Sequence, residues 1–209
     1  MRGPIERLFP NLSHRQRVAV DWLLTLVFAV LLVLGLKAWV VNPYKIPSAS
    51  MEPTLHCAQP AADCEAGSSD RVLVNRFIYH FRDPRRGEMV VFDTPPLAQQ
   101  ECGSGGVYVK RVIGLPGETW EERDGVTYIN GRALIEPWIR PGRRGHETKT
   151  LQVIERNDDI RRIPPDMYLM EGDNRAHSCD SRAWGLVPRK NIIGKVFFTY
   201  WPLGRISTH

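Results

Sequence analysis

Glu118-Thr-Trp-Glu-Glu-Arg-Asp-Gly-Val-Thr-Tyr-Ile-Asn-Gly-Arg-Ala-Leu-Ile135 decides the fold class. Asp124-Gly125 and Asn130-Gly131 divide it into the runs Glu118–Glu122, Val126–Ile129 and Arg132–Ile135. A two-residue type I′ hairpin needs positive φ at both central positions, which Asn, Asp and Gly adopt at little cost. The stretch is therefore expected to fold back on itself twice as antiparallel strands. The same period-two pattern continues outward. On the N-terminal side lie Arg71–Tyr79, Glu88–Asp93 (entered through Arg86-Gly87) and Val107–Ile113, which closes on Gly114-Leu-Pro-Gly117. On the C-terminal side lie Met167–Glu171 and Ile192–Tyr200. The 16 Pro and 17 Gly fit many turns between short strands. The expected fold is mainly β: a coiled or barrel-like antiparallel β domain with little helix. Residues 139–165 are polar and proline-containing, and no element is assigned there.

Ahead of the strands the pattern is different. Residues 1–21 carry Arg2, Arg7, Arg15 and Arg17 against Glu6 and Asp21. The next 20 residues, Trp22–Val41, are apolar apart from Lys37 and two small or polar interruptions. As a helix this run spans about 30 Å, the thickness of one hydrocarbon core. Trp22 and Trp39 stand near its ends, where interfacial aromatics belong, and the stem of Lys37 can snorkel. The positive flank precedes the run, so the expected order is a cytoplasmic segment 1–21, a transmembrane helix 22–41 and an extracytoplasmic domain 42–209. A removable leader is disfavoured, because Lys37-Ala-Trp-Val-Val41 offers no small-x-small site. A buried core helix would show a polar face.

The net charge is a modest +5, and the densest basic cluster, Arg140, Arg143 and Arg144, sits among Pro141, Gly142 and Gly145. That is a solvated loop, so no nucleic-acid partner is expected. The four cysteines are Cys57, Cys64, Cys102 and Cys179. An even count outside the membrane fits disulfides. Cys57 and Cys64 are close enough in sequence to pair, which would leave Cys102 with Cys179, one of three possible pairings. There is no Cys-x-x-Cys and no His at finger spacing, so neither zinc nor another cofactor is expected.

Three stretches can carry chemistry. Ile46-Pro-Ser-Ala-Ser-Met-Glu-Pro-Thr-Leu55 sets two serines between two prolines, in a segment stiffened against helix. Lys110 lies in an alternating strand, on the face of Tyr108 and Val112. If buried there, its ammonium is desolvated, its pKa falls and the neutral amine can act as a general base. Gly172-Asp-Asn-Arg-Ala-His-Ser-Cys-Asp-Ser-Arg-Ala-Trp-Gly185 is dense in short polar side chains. Each also has a plain reading, as turn hydroxyls, a solvent-facing lysine and a surface loop.

Taken together, these stretches resemble the signature boxes of bacterial type I signal peptidases, the Ser–Lys dyad membrane serine proteases. Tyr108-Val-Lys-Arg-Val-Ile-Gly-Leu-Pro-Gly117 is the second box, and Ser69–Phe77, Arg86–Phe92 and Tyr200–Ile206 add to the match in the family's order. The resemblance implies that Ser50 is the nucleophile and Lys110 its general base. It implies that Ser178 orients the lysine, and that the Ser48 hydroxyl joins the Ser50 N–H in holding the oxyanion. Asp180 and Arg182 become a supporting ion pair, and Tyr44, Ile46, Pro47 and Val109 line the substrate pockets. It further implies a monomeric peptidase of the bacterial plasma membrane that removes signal peptides from exported preproteins after small-x-small sites. The departures are Ala49 and Ser69 where Gly is common, and Glu88 where Asp is usual.

The chemistry agrees with these roles. A serine hydroxyl is a weak nucleophile until a base takes its proton, and lysine can replace histidine in that logic. Ser50 follows Val41 by nine residues, at most about 30 Å of chain, which keeps it near the outer membrane surface. Rival readings are a serine hydrolase using His177, a Ser–Lys peptidase with another task, a non-catalytic membrane-anchored β module, and an Asp173–Asp180 aspartic pair. The last is disfavoured because Arg175 and Arg182 stand two residues beyond each carboxylate.

Overall fold

Ser13 and Gln16 start the first helix as a reciprocal capping box: Ser13 N donates to Gln16 Oε1 at 2.9 Å, and Gln16 N to Ser13 Oγ at 3.5 Å. In the computed structural model, which describes residues 13–39, 41–145 and 162–209, helix α1 spans His14–Trp39. It begins eight residues before the apolar run, because the cap sets its start and hydropathy does not. Its segment His14–Gly35 is long and apolar enough to cross a membrane, the only such helix among the described residues. The side chains of Lys37 and Trp39 fall outside the described set, as does most of the segment 1–21. The chain falls into two units, Met1–Val41 and Asn42–His209.

The second unit is antiparallel β. Its strands are β1 (Val41–Lys45), β2 (Arg71–Asn75), β3 (Met89–Asp93), β4 (Val107–Gly114), β5 (Trp120–Arg123), β6 (Val126–Ile129), β7 (Arg132–Ala133), β8 (Met167–Glu171), β9 (Val187–Pro188), β10 (Ile192–Trp201) and β11 (Ser207–Thr208). The main sheet runs β1-β2-β10-β3-β4-β8-β9, with β11 beside β10. The hairpin stretch forms a separate sheet, β5-β6-β7. Asp124 and Gly125, then Asn130 and Gly131, take positive φ at its two turns, as type I′ geometry requires.

Strand β3 is buried on both faces, so period two feeds two cores. Val90 and Phe92 pack with Val112, Met170 and Trp184, while Met89 and Val91 pack with Val72, Val74 and Val196. Ile46, Met51 and Leu55 join the second core, which ties the serine-bearing turn to the sheet. Disulfides join Cys57 to Cys64 and Cys102 to Cys179.

Two expected strands are shorter. Arg71–Tyr79 ends at Asn75, whose side-chain oxygen accepts from Phe77 N (2.9 Å) and Ile78 N (3.0 Å) and turns the chain. Arg132–Ile135 keeps only its first two residues before the chain leaves toward Pro137. The sequence also hides a helix, α2 (Pro96–Cys102), opened by Pro and closed by Gly103 at φ 69°. Of residues 139–165, those from 146 to 161 lie outside the described residues.

Candidate active site

The serine stretch folds into an extended Ser48 followed by a single 3₁₀ turn, Ala49–Met51. N–H groups in the first turn of a helix have no intrahelical acceptor, so the Ser50 amide is available at the turn's start. Ala49 takes ordinary negative φ, so the side chain there carries no backbone strain. Asn174 holds the turn from the other side: its N–H donates to Ser50 O and its Nδ2 to Ala49 O, both at 3.1 Å. Thr54 Oγ1 donates to Asp173 Oδ2 at 2.5 Å.

Lys110 arrives from β4, in register with Val90 of β3. Its residue is 3% exposed and Ser50 is 8% exposed. Lys110 Nζ lies 2.5 Å from Ser50 Oγ, and Ser48 Oγ lies 3.4 Å from the same oxygen. The Tyr108 ring stands 5.4 Å from Nζ on the same face of the strand. Burial lowers the Lys110 pKa from 10.5 to about 8, with Asp180 and Asp173 pulling upward and Arg182 pushing down.

The third stretch packs beneath this pair. Asp180 is fully buried and accepts from Gly172 N (3.0 Å), Arg182 Nε and Arg182 Nη2 (both 2.9 Å). Burial alone would raise its pKa, but Arg182 outweighs it and holds the carboxyl at about 2. Ser178 Oγ is buried and helps keep Asp180 ionised, yet no hydrogen bond joins it to Lys110 among the described residues. Asp173 does not pair with Arg175 as the sequence spacing suggests. It takes Arg111, with Nε–Oδ1 2.7 Å and Nη2–Oδ2 2.5 Å. Arg175 turns inward instead to Glu136 and Glu171. Burial raises Glu171 to about 7 against the pull of Arg175 and Arg182.

A cleft of about 500 Å³ opens above Ser50 and Lys110. Tyr44, Ile46, Pro47, Ser48 and Val109 line it, whereas Ser178, Asp180 and Arg182 stand behind it. β8 covers only residues 111–114 of β4, so among the described residues the edge of 107–110 facing away from β3 carries no strand. Glu52, His56 and Glu65 bring ligand-type atoms within 4.8 Å of one another. Glu65 is taken by Arg140 and Arg143, however, and Glu52 Oε1 by the Cys57 and Glu65 amides, so the group braces the Cys57–Cys64 loop.

A profile described as "Signal peptidase, peptidase S26" matches residues 19–201. The chain belongs to the S26 signal peptidase family. It is a peptidase. The signal peptidase I of Leptolyngbya laminosa is 38% identical to it, over 88% of this chain and 80% of that one. The signal peptidase I of Bacillus amyloliquefaciens is 30% identical, over 93% and 94%. A solved signal peptidase I from Enterococcus faecalis is 32% identical, covering 55% of this chain and 97% of that one at a TM-score of 0.43.

The sequence reading of this S26 member missed Asn174, Thr54 and Gly172. Nothing local marks Asn174 and Thr54, because the carbonyls of Ala49 and Ser50 and the carboxylate of Asp173 that they bond lie far away in the chain. Gly172 matters through close approach: a Cβ there would stand 2.2 Å from Ser178 Oγ and 2.3 Å from Ser50 O. Gly172→Ala is therefore expected to displace one of the two serines. The overpacking costs about 1–3 kcal/mol of stability, and, if Ser50 carries the chemistry, a shift of order 1 Å at its hydroxyl lowers kcat by about 10²-fold. Denaturant unfolding and kcat on one preparation check this; wild-type kcat would show that the contact is not constraining.

Proposed function

We propose that this peptidase removes signal peptides from exported preproteins after small-x-small sites, with Ser50 as nucleophile and Lys110 as general base. The single observation that carries the reading is a buried lysine amine 2.5 Å from a serine hydroxyl at the foot of an open cleft. Neutral Lys110 takes the Ser50 proton as Oγ attacks the scissile carbonyl. The Ser50 N–H and the Ser48 hydroxyl receive the oxyanion, a contribution of about 2.7–4 kcal/mol for each donor. The intermediate collapses as the lysine ammonium protonates the departing amine, leaving an ester on Ser50. Lys110 then deprotonates a water, which hydrolyses the ester and regenerates the pair. Ser178, Asp180 and Arg182 act by position: the first orients the lysine from behind the cleft, and the ion pair holds its loop.

Small substrate side chains follow from the shallow apolar lining of Ile46 and Val109, which excludes bulky or charged groups. The substrate runs extended along the open edge of 107–110, as an added strand. Helix α1 anchors the protein in the bacterial plasma membrane, with residues 1–21 cytoplasmic, 22–41 crossing the lipid bilayer and 42–209 outside, and the enzyme works as a monomer without a cofactor.

The test is cleavage of a preprotein with an Ala-x-Ala site by the purified full chain in detergent, across pH. The base is the neutral amine, so kcat/KM is expected to rise tenfold per pH unit below pH 8 and to level off above it. A profile that falls through that range, or cleavage equally fast after replacing the Ala before the scissile bond with Trp, would sink the proposal.

A further inference from the structure

The cleft does not end at the nucleophile. Ala62, Asp63, His177 and Cys179 continue its lining. An endopeptidase must seat chain on both sides of the bond it cuts. In the reading above, the acyl side takes the open edge of 107–110 together with Ile46 and Val109. Besides Cys102, Ser104 and Gly105, what remains is a rim built from the Ala62–Asp63 and His177–Cys179 loops, and the released chain leaves past it.

That rim is charged and held in place. Asp63 Oδ1 lies 3.8 Å from His177 Nε2, and the two side chains are 44% and 48% exposed. Asp63 takes positive φ, which Asp tolerates, inside the loop closed by the Cys57–Cys64 disulfide. His177 is fixed from the opposite side: its N–H donates to Asn174 O at 3.0 Å, and its Nδ1 stands 3.3 Å from Asn174 Oδ1. Asn174 is the residue that clasps the Ser50 and Ala49 carbonyls. The rim is thus tied through one side chain to the turn that carries the nucleophile.

We propose that Asp63 and His177 form a leaving-side subsite that selects for the first residues of the released chain, favouring a cationic side chain and disfavouring an acidic one. The inference rests on the Ser50–Lys110 reading, since that fixes which side of the cleft receives the departing amine. Asp63 supplies the charge, and His177 stands beside it at the rim. Both groups are half exposed, so the discrimination is modest and falls with salt.

The experiment uses three preproteins that differ only in the second residue after the cleavage site: Lys, Ser or Glu. They are cleaved by the full chain in detergent at low ionic strength. The wild type is expected to prefer Lys over Glu by about two- to fivefold in kcat/KM, the range of an exposed ion pair. Asp63→Asn is expected to bring that ratio near one, Asp63→Lys to invert it, and 0.5 M salt to flatten it in the wild type. His177→Gln keeps a side-chain donor and is expected to retain most of the preference. Cleavage of all three substrates with the same Lys:Glu ratio in wild type, Asp63→Asn and Asp63→Lys overturns the subsite and leaves the Ser–Lys mechanism standing. A folded wild type that cuts none of them overturns both.

Discussion

Replacing Lys110 by Met is expected to give a folded protein that is more stable than the wild type near neutral pH and about 10²–10⁴-fold slower in cleavage. The two effects have one cause. General-base catalysis contributes about 10²–10⁴-fold, and Met keeps the length and the apolar stem while removing the amine. The stability gain follows from linkage. Lys110 is buried, and its pKa falls from 10.5 in an open chain to about 8 in the fold. Between those values the unfolded chain binds a proton that the folded protein does not, so stability rises with pH across that window. Below pH 8 both states bind it, and the burden is at its full size, about 3 kcal/mol. Met lifts that burden, and loss of the contact to Ser50 returns about 1 kcal/mol, leaving a net gain of about 2 kcal/mol. Urea unfolding at pH 7 and at pH 10.5 checks it: the gain should shrink at the higher pH. Equal stability at pH 7, or residual cleavage above a few per cent, would refute the role given to this lysine.

Asp180→Ala is expected to lose about 3–5 kcal/mol of stability, together with activity. A buried ion pair broken on one side leaves an uncompensated charge in a poor solvent, and that penalty sets the magnitude. Arg182 would keep the Arg175 and Ser178 carbonyls but, among the described residues, only Glu122 as a carboxylate within 4 Å, at 3.5 Å, while Gly172 N would lose its acceptor. Its loop carries Ser178 and closes on Ser50 through Asn174, so the damage reaches the chemistry. Asp180→Asn separates the roles: it keeps volume and one acceptor, so it should fold better than the Ala variant yet remain impaired. The wild type carries the same signature in acid. The folded carboxyl titrates near 2, below its ordinary 3.8, so its stabilisation is complete above about pH 4 and is lost as pH falls toward 2. Thermal melts of both variants and an acid titration of the wild type test this; an Ala variant with the wild-type melting temperature would contradict it.

The strands were readable as short apolar or alternating runs bounded by turn residues, and the hairpin sheet was readable because Asp124-Gly125 and Asn130-Gly131 allow few other backbones. Strand ends were less so. Asn75 terminates β2 through its own side chain, a choice that alternation does not register. The start of α1 depended on Ser13 and Gln16, not on where apolar residues begin. At the site, residue types were suggestive and proximity was invisible. No local rule brings Lys110 to Ser50 across 60 positions; the family resemblance suggested the pairing, and the register of β4 supplies the geometry. Nearest-neighbour spacing misled for Asp173, whose true partner, Arg111, comes from a different strand. Long-range partners are the part of a fold that a single sequence encodes least directly.

The clasp of Asn174 on the serine turn has a temporal side. A chain is synthesised from its N-terminus, so the hydroxyl of Ser50 emerges first, its lysine 60 residues later and the clasping amide 124 residues later. Until the last third of the polypeptide is present, the turn lacks both its Asn174 tethers and the loop behind Lys110. On the Ser50–Lys110 reading, an unfinished chain therefore lacks the supports that set its hydroxyl and amine in place, by order of assembly alone. Competence comes with completion.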